Sequence, residues 1–500
     1  MPPNKLRNIS IISLVIGMAL FTFLIGIPAL YTFIISFQDY QPLMGMSGSP
    51  WVGFANYSDF VSGPFASRVI SNSFIIFLAS TIIAIMAAIP TAGAVGGMNP
   101  GKTRSASAIA LLLPAFIPDL TLAFLATHLL STQTFMSPSA MRIMVILFSA
   151  IRPAAICAFV GACAASLFNN RGKSVLYGAA TGVAIGIAIN IARVLSSNYE
   201  LIMLLYNPGV FSATDTIDTW IYRSGLEAFR MSPASAAWAI RTVIQILVAA
   251  LAAMGVYICV RAGNDESPGN IYNGGRDNKA GAIPGAIGAL ALLVGLLFPL
   301  AYSSATPAQF LQSSIVNSIF ITVFSAALYG ILLFTLAAWL YLNINKKAAL
   351  VLILLMASLA NNIIGEFLFY HQLGFVNTYI GVIFANAANI AFVLPLAYLA
   401  RLKNPKAGSL QSLTRAMLPF LIAFGGLFAA KSWGNYIAQM IFTRQLNHWG
   451  LAMLLRDAMF HGHTTLTVSI MLWFVLPILA IAAATVFLFI KTFSTKTEDI

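Results

Sequence analysis

Long apolar runs separated by short polar breaks dominate the chain. A bilayer core of about 30 Å needs about 20 apolar residues in helical form. Runs of that kind fall at 9–37, 71–98, 106–130, 141–168, 175–195, 238–260, 281–303, 314–343, 348–370, 376–400, 416–437 and 466–490. The pattern predicts an all-α, polytopic integral membrane protein of about twelve spanning helices. Lys431 interrupts the eleventh run. A polar stretch, Ala262–Ala280, divides the runs into two sets of six, giving halves at 1–261 and 281–500 joined by the linker 262–280. The halves share a layout. Pro28 and Pro299 each lie near the end of a first run, and the pairs Asn72-Ser73 and Asn317-Ser318 each begin the second. Tandem halves of this kind build a pathway between two helix bundles.

Composition narrows the class. Apolar residues make up 59% and charged residues 8%, with a mean hydropathy of +0.87. Such a chain cannot cover a water-facing surface. With the N-terminus inside, the inner loops collect Lys5, Arg7, Lys102, Arg104, Arg171, Lys173, Arg261, Arg276, Lys279, Lys346, Lys347, Arg401, Lys403, Lys406, Arg415, Lys491 and Lys496. That bias places both termini in the cytoplasm. The net charge of +13 then reads as a topology signal and a match to anionic membrane lipid, not as a nucleic-acid footprint. The first run is too long for a signal-peptide core and is read as an uncleaved span. Cys157, Cys163 and Cys259 all fall in apolar segments, where packing is the expected role.

Candidate chemistry is sparse. The stretch Gly96–Thr103 matches a phosphate-loop pattern, but the pattern needs a preceding strand, and here membrane helices flank it. It reads as a turn with two topology-setting cations. No nucleophile–base pair and no zinc or dinucleotide pattern appears, so the chain is expected not to be an enzyme and to carry no cofactor or metal. Asp457, His461 and His463 could share a helix face, though a solvated outer loop is the preferred reading. Gly178, Gly182 and Gly186, at four-residue spacing, predict a helix-packing face, with Asn190 continuing the stripe. Polar groups inside spans are costly and are functional candidates by default. They are Asp119, Asn190, Arg193, Arg241, Asn361, Asn362, Glu366, Asn386, Asn389 and Lys431. Amides on several helices suit a pathway for a neutral, hydroxyl-rich solute, because an amide both donates and accepts hydrogen bonds.

Several stretches carry a resemblance. PALYTFIISFQDYQP followed by WVGFANYSDF resembles the start of permease subunits of binding-protein-dependent ABC importers for oligosaccharides. Asn198–Leu226 is similar to the late segment of one such permease. His371–Leu396, Lys431–Phe442 and Leu451–Met459 are similar to parts of its usual partner. The resemblance implies two permease subunits fused in one chain and a carbohydrate substrate moved by alternating access. It also implies a solute-binding lipoprotein outside, ATPase subunits inside that would bind the ATP, and a place in the bacterial cytoplasmic membrane. Carried over by position, it puts Asn198, Glu200, Trp433, Asn435 and Tyr436 near the pathway. The family couples to its ATPase through an acidic Glu-Ala-Ala loop. The corresponding loops here are short and basic, with Arg171 and Lys173 in the first half and Lys403, Lys406, Gly408 and Arg415 in the second. Two alternatives follow: a permease-derived receptor or scaffold without an ATPase, and an ion-coupled secondary transporter using Asp119 or Glu366.

Overall fold

A computed structural model describes residues 3–169, 174–196, 198–264, 279–304, 310–460 and 465–493. The linker falls largely outside these residues, as do Arg171, Lys173, His461 and His463. The described residues form helices, with two isolated bridges and no sheet. Among the described residues, nine helices are long and apolar enough to cross a membrane: Arg7–Ile35, Ala66–Gly96, Pro138–Asn169, Val175–Ala192, Met231–Arg261, Ile283–Tyr302, Leu311–Asn343, Leu410–Gly434 and Val468–Phe493. A tenth span is possible if Lys347–Ser358 and Ile363–Gln372, bent by 77°, are one broken helix.

Three of the twelve expected spans are not continuous, the bent run at 348–370 being one. The run at 106–130 divides into Lys102–Ala110, a 3₁₀ turn at Leu113–Phe116 and Asp119–Leu129. Pro114 and Pro118 withhold backbone N–H groups there, and proline disfavours helical geometry in the residue before it. The run at 376–400 divides into Tyr379–Ala387 and Val393–Lys403. The Lys431 run, by contrast, is one unbroken helix.

The outer surface of the bundle is oily. Leu247, Leu251, Met254 and Ile258 stand exposed along one face of Met231–Arg261, and Ile283, Ile287, Leu290 and Val294 along Ile283–Tyr302. Stripes of that size would not survive in water. Lipid tails cover them at no cost, and the helices satisfy their own backbone groups. The architecture is that of a multi-pass membrane protein.

With no hydrophobic drive between helices in lipid, close backbone approach must hold the bundle. Gly178, Gly182 and Gly186 all face helix Pro138–Asn169. A Cβ on Gly182 would lie 2.7 Å from Gly161 Cα, and one on Gly178 would lie 2.8 Å from Ala165 Cα. The first helix of each half crosses to the other half. Gly17 packs on Leu336 and Thr335, while Gly288 comes within 2.6 Å of the Ala110 carbonyl measured from an added Cβ.

The Asn-Ser pairs perform the same task twice. Asn72 Nδ2 donates to the Ser212 and Asp215 carbonyls (3.2 and 3.0 Å), and Ser73 Oγ accepts from Ile217 N (2.9 Å). Asn317 Nδ2 donates to the Asn447 and Trp449 carbonyls (2.8 and 3.0 Å), and Ser318 Oγ accepts from Leu451 N (2.7 Å). Each Asn Oδ1 also accepts one bond from the start of a later helix, from Arg142 in the first half and Tyr379 in the second, both at 2.9 Å. The pair thus pins the long segment before each half's last span. In the first half, Arg68 and Arg223 reinforce it by pairing with buried Asp215 at 3.4 and 3.0 Å. Burial pushes the Asp215 carboxyl above the usual carboxylate range, while the Thr219 hydroxyl and Arg68 pull it back.

Candidate functional site

The two halves meet around a cavity of about 300 Å³, within the usual range for a small-molecule site. Helix interruptions frame it. Val175–Ala192 ends at Arg193, and Leu195 is held at φ 68°. The 77° bend places Asn361 (φ 62°), Asn362 and Glu366 on the wall. The gap between Tyr379–Ala387 and Val393–Lys403 places Ala388, Asn389 and Phe392 there, and Leu410–Gly434 stops at Asn435. Irregular backbone at membrane depth is tolerated where it lines a polar cavity.

The second half contributes amides, and they have a local duty. Asn362 Oδ1 accepts from Gly365 N (3.3 Å) and from Thr32 Oγ1 of the first half (2.9 Å). Asn389 Oδ1 accepts from Ala391 N (2.8 Å). Asn435 Nδ2 donates to Asn386 Oδ1 (2.8 Å), and Asn386 Nδ2 donates to Ser432 Oγ (3.1 Å). Asn362, Asn389 and Asn435, whose Oδ1 also accepts from Ala438 N (3.3 Å), replace part of the hydrogen bonding that the broken helices lost, while Asn386 links side chains.

The first half contributes charge. Arg152 pairs with Asp119 at 3.2 Å, and Asn198 Nδ2 donates to the same carboxylate at 2.8 Å. Arg241 pairs with Asp218 and reaches across to the Asn361 carbonyl at 3.0 Å. Arg193 and Glu200 complete that side, facing Glu366 and Lys431 of the second half across the same space. Among the described residues, Arg193, Glu200, Glu366 and Lys431 form no ion pair within 4 Å. Asp119, Arg152, Glu200 and Lys431 also share a small recess beside the main cavity. Charges at this depth without direct partners require water or a ligand.

Of the residues singled out in the sequence, Asn190, Arg193, Asn198, Glu200, Arg241, Asn361, Asn362, Glu366, Asn386, Asn389, Lys431 and Asn435 all come to this wall. Asp119 lies in the recess behind Arg152. Trp433 and Tyr436 do not line the cavity. Both are buried: the Trp433 indole donates to the Phe474 carbonyl (3.0 Å), and the Tyr436 hydroxyl donates to the Glu200 carbonyl (2.6 Å). They brace the wall from behind. Arg152 and Asp218 join the wall without having stood out in the sequence. Arg152 offered the same signal as Lys431, a cation inside an apolar run. Asp218 sits in a segment that reads as outer loop.

The connections expected on the inner side are compact. Asn404–Ser409 joins Val393–Lys403 to Leu410–Gly434, and the next helix starts at once, with Ser409 and Ser412 capping each other. Tyr341 bonds the Asn404 carbonyl and accepts from Ala407 N (3.2 Å). Lys403 Nζ donates to the Thr492 carbonyl (3.0 Å). Lys406 and Gly408 are exposed, and Arg415 lies on the following helix, also exposed. No helix forms within Asn404–Ser409 itself. Gly96–Thr103 is likewise a helix end, a turn and a new helix, with buried Arg104 donating to the Met98 carbonyl (3.3 Å). No strand precedes it among the described residues. Asp457 is buried within Leu451–Phe460. No group of three metal-ligating side chains gathers among the described residues.

No family model matches the chain, nor does any curated protein. Two solved structures are similar to part of it. One is a bacterial alginate ABC transporter in complex with an alginate pentasaccharide-bound periplasmic protein, at 20% identity over 40% of this chain and 82% of that one, with a TM-score of 0.36. The other is a bacterial ABC transporter involved in the import of the acidic polysaccharide alginate, at 22% identity over 41% and 84%, with a TM-score of 0.37. Likeness at that level fixes neither substrate nor mechanism, so the site's own chemistry must carry the functional reading.

Proposed function

We propose that the chain is a solute permease of the cytoplasmic membrane, moving a hydroxyl-rich solute of the carbohydrate class through the cavity between its halves. One observation carries this reading. A bundle that is apolar elsewhere places amides and unpaired charges from both halves around one space, at the points where its helices break. Amides and charges suit hydroxyl groups, and Phe392, Phe428 and Phe442 on the same wall offer apolar faces to a sugar ring. The permease performs no bond chemistry and needs no cofactor of its own. Alternating access would open the cavity to each side in turn. In this reading, a lipoprotein delivers the solute outside and separate ATPase subunits supply the energy inside.

The short connection Asn404–Ser409 favours a second reading, in which no ATPase of the usual kind is coupled. Co-purification from native membranes, paired with uptake in an ATPase-null strain, separates the two. Recovery of an ATPase and loss of uptake support the pump. Intact uptake with no ATPase recovered supports an uncoupled carrier or receptor. Solute binding that survives Asn386→Leu together with Lys431→Met would remove the cavity from the account altogether.

A further inference from the structure

Between its first two spans, the first half carries a folded segment, Phe37–Phe65, that is built inside out for a water-facing loop. Several of its polar groups turn inward and bond within the segment. Asn56 Nδ2 donates to the Ser36 and Gln38 carbonyls (3.0 and 2.9 Å), the Tyr57 and Ser36 hydroxyls meet at 2.7 Å, and Gln38 Nε2 donates to the Met46 carbonyl (2.9 Å). Asp39 N donates to the Pro50 carbonyl (2.9 Å), Val52 N to the Phe37 carbonyl (2.8 Å), and Tyr40 N to Ser232 Oγ (2.8 Å), tying the segment to the last span of its half. Its large apolar side chains turn outward. Leu43 is fully exposed, and Met44, Trp51, Phe54, Val61 and Phe65 are more than two-fifths exposed. The rings are fixed rather than loose: Phe37 stacks on Trp51 (5.6 Å, 6°) and meets Phe54 edge-on (5.4 Å).

Two features name the occupant of this surface. The apolar side chains adjoin the lipid-facing rows of the flanking spans, Leu30 and Phe33 on one side and Phe74 and Leu78 on the other, with the small hydroxyls of Ser67 and Ser71 exposed between Phe65 and Phe74. The segment also carries only two charges, Asp39 and Asp59, whereas the rim of a site for a soluble protein is polar and solvated. Aromatic rings with a polar tip settle at the headgroup level of a bilayer.

We infer that Phe37–Phe65 is a membrane-interface plate, seated in the boundary between lipid headgroups and acyl chains, with Leu43, Trp51 and Phe54 as its immersed side chains. It holds the outer end of the first half at fixed depth. The second half joins its corresponding spans through 303–310 alone, so the anchor is one-sided.

The test uses the full chain, with Cys157, Cys163 and Cys259 replaced by Ala, reconstituted in phosphatidylcholine vesicles. Spin labels go at Leu43→Cys, Phe54→Cys and, as the polar-side reference, Asp59→Cys. The expected result is oxygen accessibility exceeding that of a water-soluble nickel reagent at 43 and 54, with the reverse at 59. As a second readout, brominated lipid should quench wild-type tryptophan emission more than that of Trp51→Phe. Aqueous accessibility at both 43 and 54 would overturn the inference. So would labels that become shielded only when a soluble periplasmic protein is added.

Discussion

The two halves hold their outer segments with the same device and line the cavity with different chemistry. Asn72-Ser73 and Asn317-Ser318 make the same set of bonds at matching points. At the cavity, the first half supplies three arginines, two carboxylates and two asparagines, and the second supplies five asparagines with one glutamate and one lysine. The same latch can thus serve two halves whose cavity faces differ. The latch is constrained by backbone geometry common to both halves. The wall is constrained only by what must be satisfied or left open on each side.

The sharpest way to break this contrast is at the buried ion pair. Arg241 and Asp218 are 1% and 6% exposed, so Arg241→Ala strands a carboxylate at membrane depth. A loss of about 3–5 kcal/mol in unfolding stability is expected. The double variant Asp218→Asn/Arg241→Met should recover most of it. Lys431→Met, on the amide side, removes a charge with no ion-pair partner and should lower solute uptake while leaving thermal unfolding in nanodiscs nearly unchanged. Equal destabilisation by Arg241→Ala and Lys431→Met would erase the distinction between the two walls.

The latch predicts likeness instead of contrast. Asn72→Ala and Asn317→Ala each leave two carbonyls without their donor, and each should cost about 1–3 kcal/mol. Limited proteolysis should then show faster cleavage at 207–216 in the first variant and at 443–450 in the second. A large effect in one half with none in the other would mean that the shared geometry is not shared energetics.

Helix packing gives a smaller contrast. Gly182→Val must push into Gly161 and the Val160 carbonyl, 2.7 and 2.8 Å from an added Cβ, for a cost of about 1–3 kcal/mol. Gly425 has nothing within 4 Å of an added Cβ, so Gly425→Ala should be neutral or stabilising by up to about 1 kcal/mol. Thermal unfolding of the two variants side by side reads the difference.

What the sequence determined by itself was local. Run length and hydropathy specify spans, because burying a backbone in lipid requires a helix of about 20 residues whatever its neighbours are. Nine of the twelve expected runs are continuous helices of that kind, the glycine stripe was visible as spacing, and most of the polar residues now on the cavity wall were visible as charges and amides out of place. The tertiary structure decided what those residues do together. The breaks at 359–362 and 388–392 carry no proline. They persist because a polar cavity and neighbouring amides take up the backbone bonds that lipid could not. Convergence of Arg193, Glu200, Glu366 and Lys431 from opposite halves is a property of the interface, since no stretch of chain contains it. The assignment of Trp433 and Tyr436 to bracing, and of Asp218 to the wall, followed from the same cause: which face of a helix meets the cavity is set by the packing of the other half against it.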